Sequence, residues 1–116
     1  MSTIETIDKR TRIPKEAILE VVEQIRQKFA PQKIVLFGSY ARDMQRPESD
    51  VDLLVVMSSS KKSSEQALEI LTNIDFHFGL DLIVKSKEEL DERIRLGDFF
   101  LREAIQNGIV LYESNR

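Results

Sequence analysis

Apolar residues recur every three or four positions in the first part of the chain, which places them on one face of an α-helix. This pattern predicts a helix over residues 14–29, and the Ala30-Pro31 pair that follows ends it. The same spacing returns over residues 65–78, with Gly79 behind it as a helix-stop signal. Two amphipathic helices are therefore expected before residue 80.

Short, mostly apolar runs lie between and after these helices and predict buried strands. They cover residues 33–37, 51–57, 80–84 and 109–112. A short helix is expected from Gly38 onward, and helical pattern follows the third strand, with a capping-box start at Ser86 and an interruption at Gly97. The alternation of helix and strand assigns the chain to the α/β (α+β) class. It predicts a mixed sheet of about four strands packed by helices.

The length of 116 residues corresponds to one small domain. A content of 41% hydrophobic and 32% charged residues is typical of a globular chain. Residues 1–12 are polar and are expected to form a flexible N-terminus, with the folded domain over residues 13–116.

Charge and residue usage exclude several functional classes. Seventeen basic and twenty acidic residues leave a net charge of −3, so no direct nucleic-acid binding is expected. The chain has no cysteine and a single histidine, His77, which excludes thiolate zinc sites, cysteine nucleophiles and multi-histidine metal sites. No membrane span or signal peptide is recognisable, so a cytoplasmic protein without membrane contact is expected. Any chemistry must rest on carboxylates.

The first chemical feature is the Gly38-Ser39 pair, where the first strand ends. A glycine there lets a ligand approach the backbone, and a helix start beyond it offers free N–H groups to an anion. Taken alone, the pair is more typical of a tight turn with a helix cap.

The second feature is a pair of aspartates at the front of the second strand, Asp50 and Asp52. Residues two apart on a strand project to the same face, and adjacent carboxylates repel unless a cation lies between them. Oxygen ligands at this spacing suit Mg²⁺. A turn aspartate followed by an exposed strand-edge aspartate explains the pair equally well.

The third feature is Asp81, which the sequence places among apolar neighbours and hence in a buried setting, where an isolated charge is costly. It would converge on Asp50 and Asp52 if the second and third strands are neighbours. The alternative is a solvated strand start after Gly79.

Read in order, these features resemble the motifs of the polymerase-beta-type nucleotidyltransferase superfamily, in its minimal, single-domain branch. The resemblance covers nearly the whole chain, up to residues 105–112, which are similar to the family's last helix and strand. One departure is Asp43, where relatives commonly have Gly. Asp tolerates left-handed turns, so the turn is expected to form, although a carboxylate beside bound phosphates would weaken their binding.

The resemblance implies a nucleotidyltransferase fold and a role for each motif residue. Asp50, Asp52 and Asp81 would be the catalytic residues and the ligands of two Mg²⁺ ions, and Asp81 would help to deprotonate the attacking hydroxyl.

The same resemblance assigns the triphosphate to Gly38 and Ser39. Arg42 would contact a phosphate or form a structural ion pair. Two aromatic features stay open: Tyr40 would stack on a nucleobase or fill space, and the Phe99-Phe100-Leu101 run would be core or a partner surface.

Stand-alone members of this branch resemble the MntA-like antitoxin of a HEPN/MNT toxin–antitoxin module. This implies transfer of AMP from ATP to a tyrosine hydroxyl of a HEPN-domain toxin. Two alternatives stay open. One is a binding module that neutralises its partner by occlusion. The other is transfer to a small-molecule hydroxyl, for which a homo-oligomer would have to supply the acceptor site.

Overall fold

A computed structural model describes residues 12–115. The predicted flexible segment lies outside the described residues except for Arg12, so the domain boundary stays a prediction. Along the described part, the elements follow one another as α1 (Lys15–Phe29), β1 (Lys33–Phe37), β2 (Val51–Val56), α2 (Ser63–Thr72), β3 (Leu80–Lys85), α3 (Lys87–Arg95), α4 (Phe99–Asn107) and β4 (Ile109–Glu113). Within residues 12–115, no helix has the length and apolar character needed to cross a membrane.

The strands form one mixed sheet in the order β3-β2-β1-β4. β1 pairs antiparallel with both β2 and β4, and β2 pairs in parallel with β3. The second and third strands are thus neighbours, which is the condition that the convergence of the three aspartates requires. The predicted α/β (α+β) class with a mixed four-stranded sheet is confirmed.

Helices cover both faces of the sheet because the strand side chains alternate between two apolar layers. One layer joins the sheet to α1 and α2 and includes Ile25, Leu53 and Ile70, all fully buried. The other joins it to α3 and α4 and includes Leu54 and Leu101.

The first helix agrees with the apolar spacing: α1 buries Ile18, Val21, Val22 and Ile25. It ends where the sequence predicted, because Ala30 adopts the left-handed conformation with φ 48° before Pro31.

The second helix is shorter than the sequence predicted. α2 ends at Thr72, and the side-chain Nδ2 atom of Asn73 donates to the backbone carbonyl of Glu69 at 2.8 Å. The chain then continues as a loop in which Ile74 is still buried and His77 is exposed. The apolar spacing persisted beyond the helix because the loop packs on the same core.

The third and fourth helices begin and end at the start and stop signals that the sequence predicted. The Ser86 hydroxyl accepts a hydrogen bond from the Glu89 N–H at 3.0 Å and so caps α3. Gly97 has φ 97° and separates the two helices, and the Asp98 carboxylate caps α4 by accepting from the Leu101 N–H at 3.0 Å.

Candidate active site

A row of three side chains crosses the sheet on its α4 face. Phe37 on β1 is paired with Asp52 on β2, and Asp52 is paired with Asp81 on β3. Neighbouring strands lie about 4.8 Å apart, so the two carboxylates stand side by side. The sheet register therefore brings two of the three predicted aspartates together directly.

Two glycines leave room for these carboxylates. Gly38 has φ 77°, and a Cβ atom on it would lie 2.2 Å from the Asp52 Oδ2 atom. A Cβ atom on Gly79 would lie 2.0 Å from the Asp50 Oδ1 atom. Both contacts are far shorter than van der Waals separation, so a side chain at either glycine would displace the neighbouring carboxylate.

The electrostatics of the site centre on Asp52. Partial burial, together with the nearby charges of Asp81 and Asp50, raises its pKa from 3.8 to about 6. Asp52 is therefore close enough to each of the other two carboxylates to be repelled by it.

Two details differ from the sequence-based expectations. Asp81 is exposed rather than buried, because β3 is an edge strand and its start is open to solvent. Asp50 precedes β2, and its carboxylate lies against Gly79, in a depression that His77 and Phe78 also line. It is thus a neighbour of Asp52 without sharing its pocket.

A cleft of about 300 Å³ opens in front of Asp52 and Asp81. Gly38 and Arg42 line one side of it. Within residues 12–115 the Arg42 side chain forms no ion pair, and its contact with a phosphate stays a prediction.

The segment after Gly38 is a series of turns rather than the predicted short helix. The Arg42 N–H donates to the Gly38 carbonyl at 3.3 Å, which is a helix-type hydrogen bond. The Met44 N–H instead donates one residue further back, to the Ser39 carbonyl at 2.8 Å, so the helical hydrogen-bond pattern does not continue. Asp43 has φ 57°, a left-handed conformation that prevents helix continuation. No helix N-terminus is therefore offered to an anion, and Ser39 is partly buried within the turn.

Asp43, which departs from the family pattern, has an ion-pair partner. Its carboxylate forms an ion pair with the Arg12 guanidinium, and that hydrogen bond holds the pKa of Asp43 below its usual value. The turn forms as predicted, and a cation offsets the extra negative charge.

Tyr40, two residues after Gly38, is core. It is buried, and its hydroxyl accepts a hydrogen bond from the Ile13 N–H at 3.0 Å, so it cannot stack on a ligand.

Sequence reasoning missed three residues of α4 that line the cleft: Phe100, Glu103 and Asn107. Their spacing of three and four residues is the available signal, since it puts them on one helix face. The run Phe99-Phe100-Leu101 is divided between core and surface, because Leu101 is buried whereas Phe99 and Phe100 are exposed.

The residues at the site fit a hard divalent cation. Asp50, Asp52 and Asp81 offer only oxygen donors, which Mg²⁺ prefers, and a cation would relieve the repulsion that raises the pKa of Asp52. In the part of the chain that the structure describes, no three acidic, histidine or cysteine side chains lie together in a way that could hold a metal ion. Asp52 and Asp81 stand side by side while Asp50 lies apart from them, so the structure does not gather the predicted three-aspartate ligand set.

Sequence comparison identifies the family. Residues 20–116 match the family described as "Polymerase beta, Nucleotidyltransferase". The chain is 33% identical over 101 residues to "Putative protein adenylyltransferase MJ0604" of Methanocaldococcus jannaschii, covering 84% of this chain and 96% of that protein. It is 35% identical over 74 residues to "Putative protein adenylyltransferase MJ1379" of the same organism, covering 61% and 74%.

Solved structures share the fold at low sequence identity. A nucleotidyltransferase from Sulfolobus solfataricus superposes with a TM-score of 0.62 at 20% identity, over 87% of this chain and 81% of that one. A toxin–antitoxin structure with AMP-PNP gives 0.56 at 20% identity, over 89% and 76%. A mutant of the MntA-HpeT toxin–antitoxin gives 0.53 at 21% identity, over 90% and 76%. The chain is therefore an enzyme of the polymerase beta nucleotidyltransferase family.

Proposed function

We propose that this enzyme transfers AMP from ATP to a tyrosine hydroxyl of a HEPN-domain toxin and so acts as its antitoxin, with Mg²⁺ as cofactor. Two relatives named as protein adenylyltransferases support the transfer of AMP to a protein. Similarity to two toxin–antitoxin structures, one of them with AMP-PNP, supports a toxin as partner and ATP as donor. The single observation that carries the proposal is the pairing of Asp52 with Asp81 beside the Gly38 turn.

Each side of the cleft has its own task. Gly38, Ser39 and Arg42 bind the triphosphate: the glycine lets the phosphates approach the backbone, and Arg42, which lines the cleft, supplies a cation. Asp50, Asp52 and Asp81 hold two Mg²⁺ ions. When bound, these ions neutralise charge on the attacking and leaving oxygens of an in-line displacement.

The chemical step is a displacement at the α-phosphorus of ATP. The tyrosine oxygen forms a bond to that phosphorus while the bond to the bridging oxygen of the β-phosphate breaks, and pyrophosphate leaves. The hydroxyl proton passes to the carboxylate of Asp81. This residue suits the task because it is exposed on the edge strand, where a protein acceptor can reach it.

Intact-mass measurement of the toxin tests this proposal. The toxin is incubated with the enzyme, ATP and Mg²⁺, and we expect its mass to rise by one or more AMP units. A tyrosine-to-phenylalanine series in the toxin then locates the acceptor.

The variant Asp50→Ala/Asp52→Ala should give no mass increase. Glu88→Ala/Asp91→Ala is the matched control, since it removes two exposed acids from α3, away from the cleft, and should modify the toxin normally. Tight complex formation without any mass change by the wild-type enzyme would instead support neutralisation by occlusion. Modification of the toxin by the double-alanine variant would refute the assigned catalytic residues.

A further inference from the structure

One face of α4 forms a wall of the cleft, and none of the residues to which the family resemblance assigns a catalytic or binding role lies on this wall. Phe100, Glu103 and Asn107 are spaced by three and four residues, and all three line the cleft together with Asp52 and Asp81. This wall therefore presents an aromatic ring, a carboxylate and an amide towards the space in front of the aspartates.

The Phe100 ring is placed as a stacking surface. It is 56% exposed, although the next residue, Leu101, is 3% exposed and anchors the helix in the core. Phe37 supports it edge-on, with ring centroids 5.6 Å apart and planes at 88°. A ring that is supported by a second ring and open to a cleft is suited to stack on a planar group.

The two polar residues of the wall offer hydrogen-bond acceptors. The Asn107 Nδ2 atom donates to the Glu103 Oε2 atom at 2.8 Å, which fixes both side chains. Within residues 12–115, Glu103 forms no ion pair with a lysine or arginine. Its second carboxylate oxygen and the Asn107 carbonyl oxygen are thus available to the N–H groups of a ligand.

We propose that this face of α4 is the nucleobase subsite of the enzyme. The base stacks on Phe100, and its exocyclic amino group donates to Glu103 and Asn107. This inference rests on the proposed function, because it requires that a nucleoside triphosphate binds in the cleft.

The position of the wall favours the base over the acceptor's ring as the stacked group. Phe37 supports Phe100 and is followed directly by Gly38, so the stacking surface adjoins the turn that binds the phosphates. Asp81, the residue that faces the acceptor, stands two strands away from Phe37, about 10 Å by strand spacing, at the open edge of the sheet. Base and phosphates of one nucleotide therefore belong at the β1 end of the cleft, beside Phe100 and Gly38.

Calorimetric binding measurements on the full chain with Mg²⁺ test the subsite without catalysis. A non-hydrolysable ATP analogue and inorganic tripolyphosphate are compared as ligands. We expect Phe100→Ala to bind the ATP analogue about tenfold more weakly, with its affinity for tripolyphosphate unchanged. Phe100→Tyr should restore nucleotide binding. Phe99→Ala is the matched control, because Phe99 is exposed on the same helix but does not line the cleft.

The amino-group contact has its own test. Purine riboside triphosphate lacks the 6-amino group of ATP, and the wild-type enzyme should bind it about fivefold more weakly. Glu103→Ala should reduce this difference, which identifies the carboxylate as one of the two acceptors.

The outcomes separate this inference from the proposed function. If the wild-type enzyme binds tripolyphosphate as tightly as the ATP analogue, the base makes no contribution and the inference is wrong while the proposed function stands. If Phe100→Ala leaves nucleotide affinity unchanged but raises the KM for the toxin, the ring serves the acceptor and the inference is again wrong. If neither ligand binds, the proposed function fails and the subsite fails with it.

Discussion

At the scale of single residues, the site is a set of charges held closer together than their own repulsion favours. Asp52 has a pKa of about 6 because it is partly buried beside Asp81 and Asp50. Between roughly pH 4 and pH 6, the folded chain retains a proton at Asp52 that the unfolded chain releases. The free energy of unfolding of the metal-free protein should therefore fall as the pH rises through this window.

The substitution Asp52→Asn should stabilise the metal-free protein above pH 6, because it removes the charge that the fold penalises. We expect a gain of about 1 kcal/mol, after discounting the pKa shift for solvent screening, and a thermal midpoint about 4 °C higher. The difference should vanish near pH 4. Thermal unfolding in a chelator from pH 4 to pH 8 measures this.

Added Mg²⁺ should reverse the order of the two proteins, since it binds only the intact carboxylate set and raises the midpoint of the wild-type protein. Asp91→Asn, at an exposed acid paired with Lys87 at 3.0 Å, is the control and should leave the pH dependence unchanged. A midpoint for Asp52→Asn below that of the wild type in chelator at pH 7.5 would contradict the electrostatic interpretation.

Gly38 begins the turn that is proposed to bind the triphosphate, and the effect of substituting it on catalysis can be separated from the effect on backbone strain. Gly38→Ala combines a left-handed φ of 77° with a Cβ atom 2.2 Å from the Asp52 Oδ2 atom. Gly97→Ala meets a similar φ of 97° with no atom within 4 Å. Both should lose about 1–2 kcal/mol of stability. Only Gly38→Ala should lose transfer activity, by about 100-fold, because it displaces a carboxylate. Equal activity of the two variants would argue against this role for Gly38.

At the scale of elements, most of the fold could be predicted because its strands and helices have clear periodicity and clear ends. Apolar spacing located α1 and all four strands to within a residue or two. It failed after Thr72, where Ile74 stays buried although the chain has left the helix. Side-chain burial and backbone conformation diverge there, and periodicity reports only burial.

Two helix starts of unequal quality give a prediction about stability. Ser86 caps α3 through its hydroxyl, whereas Lys62 stands at the start of α2 in an extended conformation, φ −60° and ψ 151°, with no side-chain cap. Ser86→Ala should destabilise the fold by about 1 kcal/mol, and Lys62→Ser should stabilise it by about 0.5 kcal/mol. Urea unfolding of both variants checks this, and a shift of the two midpoints in the same direction would contradict it.

At the scale of the whole molecule, the sequence predicted candidate site residues but not how the fold arranges them. The strand order makes Asp52 and Asp81 neighbours, and that order cannot be read from one chain because it depends on long-range pairing. The exposure of Asp81 follows from the edge position of β3, and the place of Phe100 follows from the packing of α4 on β1. Each of these is a tertiary property that local pattern does not contain.

Under the proposed function, catalysis and binding of the toxin are expected to be separable. Asp50 and Asp52 lie at one end of β2, and removing their charges relieves repulsion rather than disturbing the core. Asp50→Ala/Asp52→Ala should therefore fold and still associate with the toxin, yet fail to protect cells that express it. Glu88→Ala/Asp91→Ala should protect like the wild-type chain. Growth after toxin induction, with co-purification from the same cells, measures both properties. Full protection by the Asp50→Ala/Asp52→Ala variant would mean that binding alone silences the toxin, and that the carboxylates are not needed for it.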